Sequence, residues 1–304
     1  MQRICLYLFG WLLFCGACTR DSGWEGHLTD KPGLGKVRFQ MAVNGVSSFE
    51  NYIRSLAIYA FVQTDESDFV YYKKVADLTS EDIRALESRE SGVPNASDSK
   101  ILKLTLPEGI YRFYYLANDL SGEFVEPAVG ATVESGYLPY PTGGIQRAYF
   151  MSNVQVKPGS GTDVYLLVLL DRVVCRLSVL LDDLPADVDT VRYRISGLAS
   201  RLSLDEEGVG DTLSIAGIYT RGRKGALATD TVIDRLLLYP ALKSRAELKL
   251  TFTSGQMVVR EKQIPVSGLV RNNDVYVTGR WDADLTTPAR IFSTPFCSRS
   301  RSGD

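Results

Sequence analysis

The sequence predicts an all-β protein built from antiparallel sandwiches, and three observations predict it. Apolar and polar residues alternate with a period of two through most of the chain. The alternating runs are broken by short turns bearing Gly and Pro. No strand–helix–strand rhythm of a parallel sheet is found. Alternation of this kind belongs to strands with one buried and one wet face, and short turns join such strands as antiparallel neighbours.

The elements follow in order. Val37, Phe39, Met41 and Val43 alternate with Arg38, Gln40 and Ala42 as a first strand. Tyr52 to Val62 is a second, nearly apolar run, and Phe69 to Val75 a third. Thr79 and Asp82 are spaced like a capping box, and Ile83 and Leu86 share one face, so Leu78 to Glu90 predicts a short surface helix. Leu102, Leu104 and Leu106, the turn Pro107-Glu108-Gly109 and the aromatic run Ile110 to Leu116 together predict a hairpin. Asp119 to Gly144 is irregular, with repeated Gly and Pro. Arg147 to Val156 and Asp163 to Leu170 predict two more strands across the turn 157–162. A second set of strands then begins near Asp171: Val173 to Val179, Val191 to Ser196, Glu247 to Phe252, Met257 to Val266 through Ser254-Gly255, and Val275 to Trp281. Residues 285–304 carry Pro288 and Pro295 and predict an extended, exposed tail.

The chain opens MQRICLYLFGWLLFCGAC. Arg3 supplies positive charge, and Ile4 to Phe14 is an apolar stretch too short for a membrane-spanning helix, which needs roughly 20 residues. Residues 1–17 therefore predict a signal peptide, and Gly16-Ala17-Cys18 predicts a lipoprotein signal, with the lipid on Cys18. Cys15 stands where leucine is commoner, so a general signal-peptidase cut is an alternative that still exports the protein. The rival reading of Cys15 to Cys18 as a redox pair lacks the strand and helix that lower a thiol pKa. Residues 18–35 are rich in Gly, Asp and Thr and predict a flexible tether. Val164 to Leu181, the next most apolar run, is broken by Asp171, Arg172 and Arg176. The lipid is then the anchor of a soluble body.

Composition argues against chemistry. A net charge of −2 gives no field favouring nucleic acid. His27 is the one histidine and falls in the tether, which removes histidine triads and most zinc sites from the body. Asp182-Asp183 and Glu206-Glu207 read as turn residues rather than as a glycosidase pair. Thr220 to Gly225 is a basic loop around Arg221, Arg223 and Lys224, and Lys36 adds to the basic set; solvation is the bland reading and partner binding the sharper one. The 16 tyrosines lie mostly in strands, as core first, with a sugar-stacking surface as the alternative. Cys175 reads as a buried thiol, with pairing to Cys297 left open. No catalytic residue, cofactor or metal is expected.

Several segments resemble the fimbrillin superfamily of Bacteroidetes, the lipoprotein subunits of type V pili. They are Cys18 after the signal; Ile53 to Phe61 (IRSLAIYAF); Leu104 to Asn118 (LTLPEGIYRFYYLAN); Phe150-Met151-Ser152-Asn153; and Leu170 to Arg176 (LDRVVCR). The resemblance implies two tandem transthyretin-like antiparallel β-sandwich domains, at 36–170 and 171–284. It also implies partnership with other fimbrial subunits by donor-strand exchange, in which a strand from one subunit fills a groove in the next. Stalk subunits are cut by an arginine-specific protease after their first strand, whereas anchor subunits keep lipid and strand and hold the pilus at the outer membrane. Asn44 to Asn51, the expected loop after the first strand, has no Arg or Lys, and Arg38 and Arg54 are expected inside strands. The reading is therefore a surface-exposed anchor subunit held by lipid on Cys18. A stalk or tip subunit and a glycan-binding surface lipoprotein are the alternatives.

Overall fold

The computed structural model describes residues 33–295 except 47, 65–67, 91–97, 121, 206–207, 222–228, 244 and 282–289. The leader, Cys15, Cys18, His27, Glu206-Glu207, Arg223, Lys224, Pro288 and Cys297 lie outside the described residues.

Strand β1 (Leu34–Val43) is followed by the one-turn helix α1 (Phe49–Tyr52), then β2 (Leu56–Gln63), β3 (Phe69–Leu78) and helix α2 (Ser80–Ala85). The predicted capping box forms: the Thr79 side chain accepts from the Asp82 amide, and the Asp82 carboxylate accepts from the Thr79 amide. The helix is shorter than the sequence predicts, and strand β4 (Glu87–Arg89) begins at once. Strands β5 (Ser99–Pro107), β6 (Tyr111–Ala117), β7 (Tyr137–Pro139), β8 (Phe150–Val156) and β9 (Asp163–Arg172) follow. They lie in one sheet of order β3-β2-β6-β8-β9-β1-β5-β4, except β7. The sheet folds back on itself: Phe39 of β1 meets Phe113 and Tyr115 of β6 edge to face, with ring centroids 5.0 and 5.9 Å apart. Two layers of a sandwich result, and the first core lies between them.

The hairpin predicted over 102–116 does not form. β5 pairs with β1 and β4, while β6 pairs with β2 and β8 in the other layer. The reason lies in the faces of the two strands. β5 alternates, with Lys103 and Thr105 exposed, and suits a layer with a wet face. β6 is buried along nearly its whole length and needs cover on both faces. β8 and β9 likewise meet only at Phe150–Arg172 and Met151–Asp171.

The second sandwich packs β13 (Thr229–Leu238), β10 (Cys175–Asp182), β16 (Asn273–Arg280) and β17 (Arg290–Pro295) against β12 (Gly208–Thr220), β11 (Thr190–Ser203), β14 (Arg245–Ser254) and β15 (Met257–Ser267). The predicted β14–β15 hairpin forms. Within the segment expected as a loose tail, residues 290–295 pair with β16 instead. The core between these layers is aliphatic apart from Phe252 and Cys175. Most strand pairs are antiparallel, but β1–β9 and β10–β16 are parallel.

A third buried cluster joins the two sandwiches. Tyr59, Phe61 and Tyr114 on the outer face of the first sandwich pack there with Leu138, Tyr149, Leu202 and Tyr239. The irregular stretch after Asn118 forms this cover, and β7 within it pairs with β11 of the second sandwich. β2 and β6 are therefore buried on both faces, which explains their unbroken apolar runs.

Candidate functional site: the first strand and its seat

β1 lies between two partners, parallel to β9 and antiparallel to β5, so both of its backbone edges are in ladders. Its core-facing side chains Val37, Phe39 and Met41 are fully buried, and Val43 nearly so. Burying such a side chain is worth about 1.5–3 kcal/mol. At its start, the Glu108 amide donates to the Gly33 carbonyl at 2.9 Å, and the Lys36 amide to the Thr162 carbonyl at 2.8 Å. Gly35 sits where a Cβ would come within 2.6 Å of the Gly159 carbonyl oxygen, so only glycine lets the strand meet that turn.

The other face of β1 is polar. Gln40 is buried, donates to Ser99 Oγ at 3.0 Å and accepts from Tyr165. Lys100 is buried too, and its Nζ meets Glu50 of α1 at 2.6 Å and Ser88 Oγ at 2.8 Å. Arg38 pairs with Asp163, but both are exposed and the pair is weak. Lys36 is exposed.

The connection after β1 differs from expectation. It runs to Ser55, and Arg54 lies in it, exposed, rather than inside a strand. Its backbone is nonetheless held on both sides. The Arg54 amide donates to Asn118 Oδ1 at 2.8 Å, and its carbonyl accepts from Ser80 Oγ at 2.7 Å. Asn118 Nδ2 donates to the carbonyls of Tyr52 and Ala148, both at 2.8 Å, and the Asn118 amide donates to Ser55 at 3.0 Å. Asn118 is buried with φ +68, a conformation asparagine tolerates better than most residues. Sequence reasoning included Asn118 as the last residue of a segment resembling the fimbrillin family but did not assign it this clasp. An asparagine directly after a doubly apolar strand was the available signal.

The remaining predicted residues are structural where described. Arg172 and Arg176 both meet Asp274, with Arg172 Nη2 2.8 Å from Oδ1, and Arg172 and Asp274 are buried. Cys175 is a fully buried free thiol, pushed up to about 12 by burial, and so unreactive. Asp182 accepts from Thr229 Oγ1, and Asp183 pairs with Arg280, which makes both turn residues. Arg221 donates to the carbonyls of Leu184 and Pro185 and meets the buried Asp230 at 2.8 Å. It is a strut, not a free basic side chain. Among the described residues no three His, Cys, Asp or Glu side chains gather as metal ligands, and no helix is long and apolar enough to cross a membrane.

Comparison with known proteins gives this arrangement a context. The family model of the fimbrillin-A associated anchor proteins Mfa1 and Mfa2 matches residues 28–293. No curated protein matches the chain. Among solved structures, a proposed polysaccharide-binding protein from Bacteroides thetaiotaomicron has a TM-score of 0.60 at 13% identity, over 86% of this chain and 96% of that one. A fimbrial assembly protein from Parabacteroides distasonis has a TM-score of 0.52 at 11% identity, over 87% and 96%. The fimbrial anchor protein Mfa2 from Porphyromonas gingivalis has a TM-score of 0.51 at 14% identity, over 86% and 97%. At these identities the likeness is one of fold.

Proposed function

This chain belongs to the family of fimbrillin-A associated anchor proteins, and on that footing we propose that it is the anchor subunit of a fimbrium, non-enzymatic and held at the outer membrane by lipid on Cys18. One observation carries the choice of anchor over stalk: β1 is seated between two strands, and in the segment after it, 44–55, the one basic residue, Arg54, has its amide tied to Asn118 and its carbonyl to Ser80. An anchor must keep this strand, because chain tension from the pilus passes through it to the tether. A stalk subunit must lose it to receive a neighbour's strand. The exposed Arg54 is the natural point of attack for an arginine-specific protease. Its neighbouring carbonyls and amides are tied to Asn118 and Ser80, and a protease needs an extended, free backbone. That clasp supports retention of the strand.

The test is intact mass and N-terminal sequencing of the protein recovered from the outer membrane, together with a Cys18→Ala variant. The expected result is a lipidated Cys18 with Lys36 to Val43 still attached, and release of the variant from the membrane. A new terminus after Arg38 or Arg54 would make the protein a processed stalk or tip subunit.

A further inference from the structure

Sheet edges offer unpaired amides and carbonyls to any passing strand, and proteins block them with charge, proline, bulges or shortness. The edges here are blocked one by one. β4 has three residues, two of them charged. β3 carries Lys73 and Lys74 and two register shifts. β13 shifts register at Arg235, whose φ is +50. β15 is interrupted by a register shift, by Arg260-Glu261-Lys262 and by Pro265. β17 is short and ends at Pro295. β8 and β9 are held together at both ends, by their short ladder and by the 157–162 turn, so their free flanks face one another.

β12 is the exception. It pairs with β11 on one side and, among the described residues, with no strand on the other. From Thr212 to Thr220 it has no charged residue and no proline, and its register with β11 is regular from Ser214 onward. Ser214, Ala216 and Ile218 are exposed along its outer face, Ile218 by 64%. The same face carries a second feature. Arg192 and Arg194 of β11 stand about 7 Å apart on one side of the sheet, opposite Ile218 and Ala216. With Lys249, Thr251 and Gly217 they line an open groove of about 500 Å³. Lys249 is answered by Glu261 at 2.9 Å. Ala216, opposite Arg194, is too small to screen that arginine from the edge, while Ile218 stands opposite Arg192.

We propose that the β12 edge binds an extended segment of a neighbouring fimbrial subunit that carries acidic side chains on its outer face. The segment adds to the sheet as a new strand, its backbone pairing with Leu213–Thr220. Its carboxylates reach across Ala216 to the guanidinium group of Arg194, with Arg192 one pair further along, across Ile218. The new strand lies roughly 10 Å from β11, a span that one glutamate and one arginine side chain cover together. Arginine suits the role because its fork accepts a carboxylate through two hydrogen bonds. A second copy of this chain is the poorer occupant, since it would bring two more arginines and, over Leu213–Thr220, no acid to the edge. The proposal rests on the fimbrial reading above, but it concerns a different surface from the β1 seat.

The experiment is hydrogen–deuterium exchange on the full mature protein with a synthetic peptide of alternating valine and glutamate, and with its lysine counterpart. The glutamate peptide is expected to slow exchange at Leu213–Thr220 by about tenfold, and the lysine peptide to have no effect. Ser214→Glu and Ile218→Glu, both at exposed positions, remove the protection by the glutamate peptide, and Arg194→Glu transfers it to the lysine peptide. Equal protection by both peptides overturns the charge assignment. No protection, or protection at another strand, overturns the site. A dimer in light scattering that Ile218→Lys abolishes assigns the edge to a second copy and overturns the partner. Exchange at β12 is read without any pilus or lipid. Its failure therefore leaves the anchor reading standing, and processing after Arg54 leaves the edge result standing.

Discussion

The two sandwiches place their first strands in the same position and hold them differently. β1 lies between a parallel β9 and an antiparallel β5; β10 lies between a parallel β16 and an antiparallel β13. β10 is continuous with β9 through the buried Val173-Val174, and it is pinned there by Arg172 and Arg176 on Asp274. β1 begins the described body at one end and is followed at the other by the clasp on 52–55. The same topology therefore seats one strand that opens the described body and one that continues directly from the strand before it. What differs between the two is what holds the strand ends rather than the ladder.

Removing residues up to Val43 breaks the comparison most severely. The first sandwich should lose its cooperative transition in calorimetry while the second keeps its own, and an added peptide of Lys36 to Val43 should restore it. Loss of both transitions would show that the shared tyrosine seam makes the two a single unit. Next in size is Asp274→Asn, which leaves Arg172 and Arg176 without their common anion. A cost of about 3–5 kcal/mol in urea unfolding is expected, borne by the second sandwich; a cost below 1 kcal/mol would mean that β10 needs no such pin. Asn118→Ala removes the clasp, at about 1–3 kcal/mol. It should also speed cutting after Arg54 by an added arginine-specific protease, and an unchanged rate would remove the clasp from the argument.

Alkaline titration sharpens the contrast further. Unfolded tyrosine ionises near pH 10, and burial pushes Tyr111 in the first core and Tyr114 and Tyr149 in the seam up to about 12. The folded values lie above the unfolded one. Their contribution is complete below pH 10 and is lost as pH rises through 12. The first core and the seam should loosen across that window before the core of the second sandwich, which has no fully buried tyrosine, and coincident loss would contradict this. Arg38→Ala should change stability least, by under about 1 kcal/mol, because its ion pair is exposed.

Much of this was legible in the residues. The alternation in β1, β5, β11 and β14 gave strand and face together, and Thr79 with Asp82 gave the helix start. β12 and β13 were not legible. Gly208, Gly210 and Gly217 weaken the signal of β12, and an edge strand tolerates them because it forms one ladder and buries little. Arg54 was misplaced by reading the apolar run of β2 back to Tyr52, where the chain in fact makes a helical turn before the strand begins.

The sequence by itself determined which segments extend and which of their faces are apolar, since period-two alternation is a local property of a strand. It also determined that the described body has no histidine chemistry. Only the tertiary structure decided which strands pair. The run from Leu102 to Leu116 has every local mark of a hairpin, yet its halves enter different layers, because β6 needs cover on both faces and β5 does not. Burial on two faces is satisfied by neighbours distant in sequence, and no local pattern names them.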